Sequence, residues 1–315
     1  MPTTYKVYID GAAGTTGLQI WQRLATQGDI TLTQLDEAHR KVLHARLEAM
    51  AAADLSILCL PDAAAREIAA AAPPTAKIID ASTAHRTNPG WVYGFAELEA
   101  RRSRIATATR VAVPGCHATG FLALVAPLVA GGILPAASTL CCHSLTGYSG
   151  GGKQMIAEYE GAERSGKYDA PRQYGLALAH KHLPEMQTVA QLAAPPLFCP
   201  IVADYYSGML VTVPVPMDAV ARGWQSLERL ADFYRTYYAD ERLITVHPAG
   251  DAPTDGMLAA NALSGRDDLE IFVLGNAQQV LLAARFDNLG KGAAGAATQC
   301  MNLMLGREET AGLKL

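Results

Sequence analysis

The stretch Tyr5-Lys6-Val7-Tyr8-Ile9-Asp10-Gly11-Ala12-Ala13-Gly14-Thr15-Thr16-Gly17 decides the fold. Lys6 to Ile9 reads as a short apolar strand, after which three glycines at GxxGxxG spacing turn the chain into a helical pattern from about Thr15 to Ala25. Glycines at such a junction permit a tight turn, close approach of backbone to a pyrophosphate and close packing of helix on sheet, and the helix N-terminus favours an anion. The spacing differs from GxGxxG, so the strand–turn–helix context is what assigns Gly11, Gly14, Thr15, Thr16 and Gly17 to a dinucleotide site. The alternative is a glycine turn that serves packing alone. At the end of the second strand Asp36 can hold a ribose hydroxyl, whereas Thr15, Thr16, Arg40 or Lys41 can hold a 2′-phosphate. These residues do not separate NAD from NADP.

Outward from that turn, short apolar strands alternate with helical patterns. Ile30 to Leu35 is a strand, a helix runs through Ala52, Leu55 to Leu60 is a buried strand, an Ala-rich helix follows Asp62, and Lys77 to Asp80 opens the next strand before Pro114 closes the series. This alternation predicts an α/β fold with a doubly wound parallel sheet. The middle of the chain has α+β texture: a longer strand from Ser207 to Pro216 whose prolines place its end at an edge or exit, a helical pattern from Asp218 to Tyr238, and strands at Leu269–Leu274 and Gln279–Phe286. A last helix from about Ala293 to Leu305 can return to the first domain. The expected division is therefore a dinucleotide domain of residues 1–119 and 289–315, with residues 120–288 inserted as a second domain.

Composition narrows the function classes. The chain has 315 residues, half of them hydrophobic, enough for two domains or one large α/β unit. A net charge of −4 and the absence of a Lys/Arg block argue against nucleic acid and membrane-surface partners, leaving a small molecule as the expected one. The N-terminus has no secretory pattern, and the longest apolar stretch, Gly120 to Leu134, is broken by Pro127 and Gly131-Gly132 and is too short for a bilayer. Six cysteines without a CxxC pair read as reduced thiols of a cytoplasmic protein.

Cys116 is the one with a catalytic address. In Val111-Ala112-Val113-Pro114-Gly115-Cys116-His117-Ala118-Thr119-Gly120 a strand meets a Pro-Gly turn and a helix begins, and a thiol at a helix start ionises more readily than one in an apolar core. Cys59, Cys141, Cys142, Cys199 and Cys300 lie in or beside apolar runs and are expected in the core. His180-Lys181-His182-Leu183-Pro184-Glu185 supplies two imidazoles just before a helix, suited to proton transfer at a thiol or hemithioacetal oxygen. Read as zinc ligands they lack a third partner at suitable spacing, so no metal is expected. Gly147-Tyr148-Ser149-Gly150-Gly151-Gly152-Lys153-Gln154 narrowly misses the P-loop pattern: Gln154 stands where Ser or Thr is needed, and the alternative is a glycine loop close to a cofactor or reacting carbonyl. In Asp80-Ala81-Ser82-Thr83-Ala84-His85-Arg86, at the carboxyl edge of the sheet, Arg86 can grip a phosphate or carboxylate, or can be a solvated surface charge.

Taken together, GAAGTTG, Asp80-Ala81-Ser82 with Arg86, Pro114-Gly115-Cys116 with Ala118-Thr119-Gly120, Ser149-Gly150, the His180–Glu185 stretch and Asp287-Asn288-Leu289-Gly290-Lys291-Gly292 resemble the N-acetyl-gamma-glutamyl-phosphate reductases, in particular their shorter sequence type. The resemblance spans nearly the whole chain. It implies a Rossmann-type NADP-binding domain, an inserted catalytic and oligomerisation domain like that of aspartate-semialdehyde dehydrogenase, a homodimer or homotetramer, and a role in arginine biosynthesis. It also implies site roles: Cys116 as nucleophile and His180 as acid/base; Arg86, His182 and Ser82 on the substrate, with Arg86 on its phosphoryl group; Ser149, Gly150 and Asn288 beside the cofactor. Cys116 would displace inorganic phosphate from N-acetyl-glutamyl 5-phosphate, and the thioester would be reduced with NADPH to the 5-semialdehyde. His117 departs from the longer type, which has an aromatic residue after the cysteine, and so bears on both thiol and acid/base. The rival readings are an aspartate-semialdehyde dehydrogenase or another acyl-phosphate reductase, and, outside enzymes, a dinucleotide-binding sensor.

Overall fold

A computed structural model describes residues 4–315 in two compact units, one running to Pro114 and resuming over Ala293–Leu313, the other formed by Gly115–Gly292 with Lys314–Leu315. The expected division at 119/120 falls inside a helix, Cys116–Ala130.

The first unit alternates as the sequence reads: β1 (Tyr5–Asp10), α1 (Thr15–Leu24), β2 (Ile30–Thr33), α2 (Leu43–Ala51), β3 (Leu55–Leu58), α3 (Asp62–Ala71), β4 (Ile78–Asp80), β5 (Val92–Tyr93), α4 (Arg101–Thr107) and β6 (Arg110–Ala112). The six strands form a parallel sheet in the order β2-β1-β3-β4-β6-β5. Strand side chains alternate between faces. Val7 and Ile9 therefore join Ile20, Leu24 and the final helix's Met301 in one core, while Tyr8 joins Met50 and Ile68 in the other. A sheet covered on both sides reads as continuous apolar runs, which is why Leu55-Ser56-Ile57-Leu58 is buried throughout. One buried charge pair sits at the end of β1, where the Arg46 guanidinium lies 2.7 Å from the Asp10 carboxylate.

The second unit contains α5 (Cys116–Ala130), β7 (Cys141–Gly147), α6 (Gly152–Glu160), β8 (Arg172–Gln173), α7 (Leu183–Val189), β9 (Leu197–Ala203), β10 (Met209–Pro216), α8 (Leu227–Tyr237), β11 (Ile244–Val246), β12 (Leu269–Gly275) and β13 (Gln279–Phe286). Its mixed seven-stranded sheet has the order β11-β12-β13-β10-β7-β9-β8. Pro214 and Pro216 extend beyond the stretch of β10 paired with β7, so the missing N–H groups interrupt no ladder there. Helix α5 seats on β10 and β13 through Gly120, where a Cβ would stand 2.6 Å from Val211 and 2.8 Å from Phe286. Pro127 inside α5 cannot donate to the Ala123 carbonyl, and the Tyr238 hydroxyl supplies that hydrogen bond at 2.8 Å.

Two expectations change. The helical pattern from Asp218 to Tyr238 splits into a 3₁₀ turn at Met217–Ala219 and α8, because Gly223 adopts φ +90° and Ser226 caps a new helix by accepting the Arg229 N–H. Of the five cysteines expected in the core, Cys142 and Cys300 are buried, but Cys59, Cys141 and Cys199 are only half-buried. Cys141 and Cys142 are neighbours on one strand and face opposite sides of the sheet. Among the described residues no helix is long and apolar enough to cross a membrane.

Candidate active site

Helix α5 begins at Cys116, with Gly115 as an extended N-cap (φ −75°, ψ 145°) that carries no capping side chain. The first turn of any helix has N–H groups without intrahelical partners, and Cys116, with its half-buried thiol, is the first residue of that turn. Burial instead pushes the thiols of Cys59, Cys141 and Cys142 up, that of Cys59 to about 12. The turn before Cys116 is anchored: the Gly115 N–H donates to the buried Glu185 carboxylate at 3.1 Å, and Thr119 Oγ donates to the Gly115 carbonyl at 3.1 Å. From the other side the Asp287–Gly292 loop closes in, with Gly292 so near that a Cβ would lie 2.9 Å from the Cys116 Cβ.

Three imidazoles gather at this helix start. His182 is the N-cap of α7, and its backbone N–H donates to His180 Nδ1 at 3.2 Å, so the neutral His180 ring carries its proton on Nε2. The His117 ring centroid lies 5.7 Å from that of His180 and 5.5 Å from that of His182. His182 Nε2 is 3.9 Å from Glu185 Oε1. Their environments differ. His117 is buried, and desolvation together with the charges of His180 and Lys181 pushes its pKa down to about 3, so it is uncharged at neutral pH. His180 is half-exposed, and of the three it is the one open to proton exchange with solvent.

Asn288 and Ser149 meet as one assembly in the same unit: Asn288 Nδ2 donates to Ser149 Oγ at 3.1 Å and its Oδ1 accepts the Gly208 N–H at 2.9 Å. A Cβ on Gly150 would lie 3.4 Å from Asn288 Nδ2. The amide of Asn288 thus builds the glycine loop.

Ser82, Arg86 and the GxxGxxG turn belong to the first unit. Ser82 Oγ donates to Asp80 Oδ2 at 2.8 Å, His85 Nδ1 contacts the same oxygen at 2.6 Å, and the His85 ring stacks on Trp91 at 4.0 Å. Arg86 Nε donates to the Val113 carbonyl at 2.9 Å. In the glycine turn, Gly11 has φ +85° and its Cβ would overlap the Cys59 carbonyl, while a Cβ on Gly17 would stand 2.5 Å from the Gly11 carbonyl. Packing therefore demands both. Gly14, the N-cap of α1, has nothing nearer than 3.5 Å to a Cβ, so packing does not require it. A glycine there suits the approach of an outside group, which fits a dinucleotide pyrophosphate at the helix start. Asp36 is exposed and hydrogen-bonded by His39, whose donors hold its carboxyl below the usual range.

Tyr174, Ser144 and Glu185 were not given roles by sequence reasoning. Glu185 alone had a signal: it falls three residues after His182 in the first turn of the following helix.

The family description "Semialdehyde dehydrogenase, NAD binding domain" matches residues 31–108, and "Semialdehyde dehydrogenase, dimerisation domain" matches residues 116–288. Among curated relatives, N-acetyl-gamma-glutamyl-phosphate reductase 2 of Nostoc sp. is 44% identical over 98% of this chain and 99% of its own. The N-acetyl-gamma-glutamyl-phosphate reductase of Burkholderia ambifaria is 47% identical over 95% of this chain and 96% of its own. The chain belongs to the N-acetyl-gamma-glutamyl-phosphate reductase family. It is an oxidoreductase with a nicotinamide dinucleotide domain, as the glycine turn leads one to expect. Solved structures of aspartate-semialdehyde dehydrogenase share the fold: that of Vibrio cholerae aligns with a TM-score of 0.70 over 96% of this chain and 99% of its own at 14% identity. The enzyme from Candida albicans, solved with NADP, aligns with a TM-score of 0.63 over 96% of this chain and 99% of its own at 13% identity. At such identities the fold alone is shared, whereas the two reductase relatives are more than 40% identical over 95% or more of this chain.

Proposed function

We propose that this reductase converts N-acetyl-L-glutamyl 5-phosphate to N-acetyl-L-glutamate 5-semialdehyde and inorganic phosphate, a step of arginine biosynthesis, through a thioester on Cys116. The observation that carries the reading is the placement of Cys116 on the first turn of α5, anchored by Glu185 at Gly115 and grouped with three imidazoles. The thiolate attacks the acyl carbon, the C–O bond to phosphate breaks, and phosphate leaves with the bond's electron pair. A thioester accepts hydride where a carboxylate does not, and the reduced nicotinamide is the hydride source when bound. His180 faces the oxygen that becomes anionic as the thioester is reduced, with Nε2–H as donor, and serves proton exchange as the hemithioacetal collapses and frees the thiolate. Arg86 holds the phosphoryl group, and Ser82 and His182 orient the rest of the substrate.

NADP is the proposed cofactor, held by Gly11, Gly14, Thr15, Thr16 and Gly17 with Ser149, Gly150 and Asn288 toward the nicotinamide end. We place the functional division near 119/120 and 288/289, and assign the second domain to catalysis and to a homodimer or homotetramer in the cytoplasm. The test is an initial-rate assay of phosphate-dependent NADP⁺ or NAD⁺ reduction with N-acetyl-glutamate semialdehyde against aspartate semialdehyde. A preference for the acetylated substrate with NADP⁺ supports the reading, and a preference for aspartate semialdehyde replaces it.

A further inference from the structure

A chain of hydrogen-bonded polar groups begins at the residue after the nucleophile and takes no part in the steps above. His117, the residue after Cys116 on α5, has Nδ1 2.7 Å from Ser144 Oγ on β7 and Nε2 2.6 Å from the Tyr174 hydroxyl. Ser144 and His117 are both buried. The Tyr174 ring also packs edge-on to His180, at 5.9 Å between centroids. We propose that Tyr174 is a further residue of the thiol site, its phenolic O–H turned by His117 to donate a hydrogen bond to the Cys116 thiolate. In this arrangement Ser144 O–H donates to His117 Nδ1, His117 Nε2–H donates to the Tyr174 oxygen, and the phenolic proton is left for the sulfur. Each donor has one acceptor, and no proton changes owner.

Two features support that direction. His117 stays uncharged at working pH, so it carries one ring proton and must accept at one nitrogen and donate at the other. Tyr174 is held protonated by burial first and by negative charge at Cys116 second, so its O–H remains available as a donor. A hydrogen bond to a charged sulfur is stronger than one to a neutral acceptor, so it favours the thiolate. The titratable and charged groups around this turn are His180, Lys181 and His182 before α7, Glu185 on α7, which holds the Gly115 N–H, and the buried Lys291 of the Asp287–Gly292 loop, whose Gly292 packs against Cys116. His117 itself does not titrate in the assay range, so its effect on a pH profile must pass through a neighbour.

The inference rests on Cys116 being the nucleophile, and the test separates the two claims. The pH dependence of iodoacetamide labelling at Cys116 is read from the labelled peptide by mass spectrometry in the full-length enzyme and in Tyr174→Phe, His117→Phe and the double variant. The labelling midpoint is expected to rise by about one pH unit in Tyr174→Phe, a drop of about tenfold in labelling rate below the midpoint. His117→Phe should shift it in the same direction, and the double variant no further than Tyr174→Phe alone. An unmoved midpoint in folded Tyr174→Phe overturns the proposal, as does an additive shift in the double variant. Should Tyr174→Phe fail to fold, His117→Phe decides by the same readout, an unmoved midpoint overturning the proposal. If Cys116→Ser retains turnover, the nucleophile assignment itself fails, whatever the midpoints show.

Discussion

Burying His117 as a neutral ring ties the stability of this protein to pH. Its pKa falls from the usual 6.5 to about 3 in the folded chain, while the unfolded chain titrates near the ordinary value. Between these values the unfolded state binds more protons, so stability is fully present above pH 6.5 and is lost as pH falls toward 3. At pH 5 the ratio of binding polynomials is about 30, which is about 2 kcal/mol of lost stability from this one ring. His117→Phe removes the titration while filling much of the ring volume. At pH 8 the variant is less stable than the parent, because the Ser144 and Tyr174 hydroxyls each lose a buried partner. At pH 5 the gap narrows by about 2 kcal/mol, since only the parent carries the proton-linked loss. Equilibrium urea unfolding of both proteins at pH 8 and pH 5, at fixed protein concentration, measures the gap directly. A gap unchanged within about 0.5 kcal/mol would refute the picture of a desolvated, neutral His117.

Three more outcomes follow from named contacts. Gly14→Ala should leave the melting temperature nearly unchanged and weaken NADP binding about tenfold by titration calorimetry, whereas Gly11→Ala, at φ +85° against the Cys59 carbonyl, should unfold or lower the melting temperature markedly. Glu185→Ala frees the Gly115 N–H and should lower kcat/KM by about 10- to 100-fold, while Glu185→Gln, which keeps an acceptor for that N–H, retains more activity; equal losses would mean that anchoring Gly115 is not what Glu185 does. Arg46→Met strands the buried Asp10 carboxylate and should cost about 3 kcal/mol in urea unfolding at pH 8, less at pH 5, where protonating Asp10 relieves it because burial already raises that carboxyl.

The first unit was legible because each of its elements is signalled locally. Glycines fix the turn after β1, and apolar runs of strand length alternate with helical periods, so the parallel sheet needs no long-range information. The helix start at Cys116 was legible for the same reason: Pro114 and Gly115 cannot continue the strand. The helix expected from Asp218 failed where a single positive-φ glycine, Gly223, overrode an otherwise helical pattern. The half-exposure of Cys141 and Cys199 was hidden because it depends on which side of the mixed sheet is covered by helices. The partners of His117 were beyond local reading: Ser144 is 27 residues away and Tyr174 57, and only the fold of the second unit brings them to one ring.

The central claim is that Cys116 carries the acyl group. With N-acetyl-glutamate semialdehyde and NADP⁺ but no phosphate, the thioester cannot be discharged to acyl phosphate, so rapid mixing should give a burst of about one reduced nicotinamide per active site and an acyl adduct on the Cys116 peptide. Cys116→Ser should give neither. A burst of the same size in Cys116→Ser, or an adduct on Cys142 or another thiol, would contradict the account.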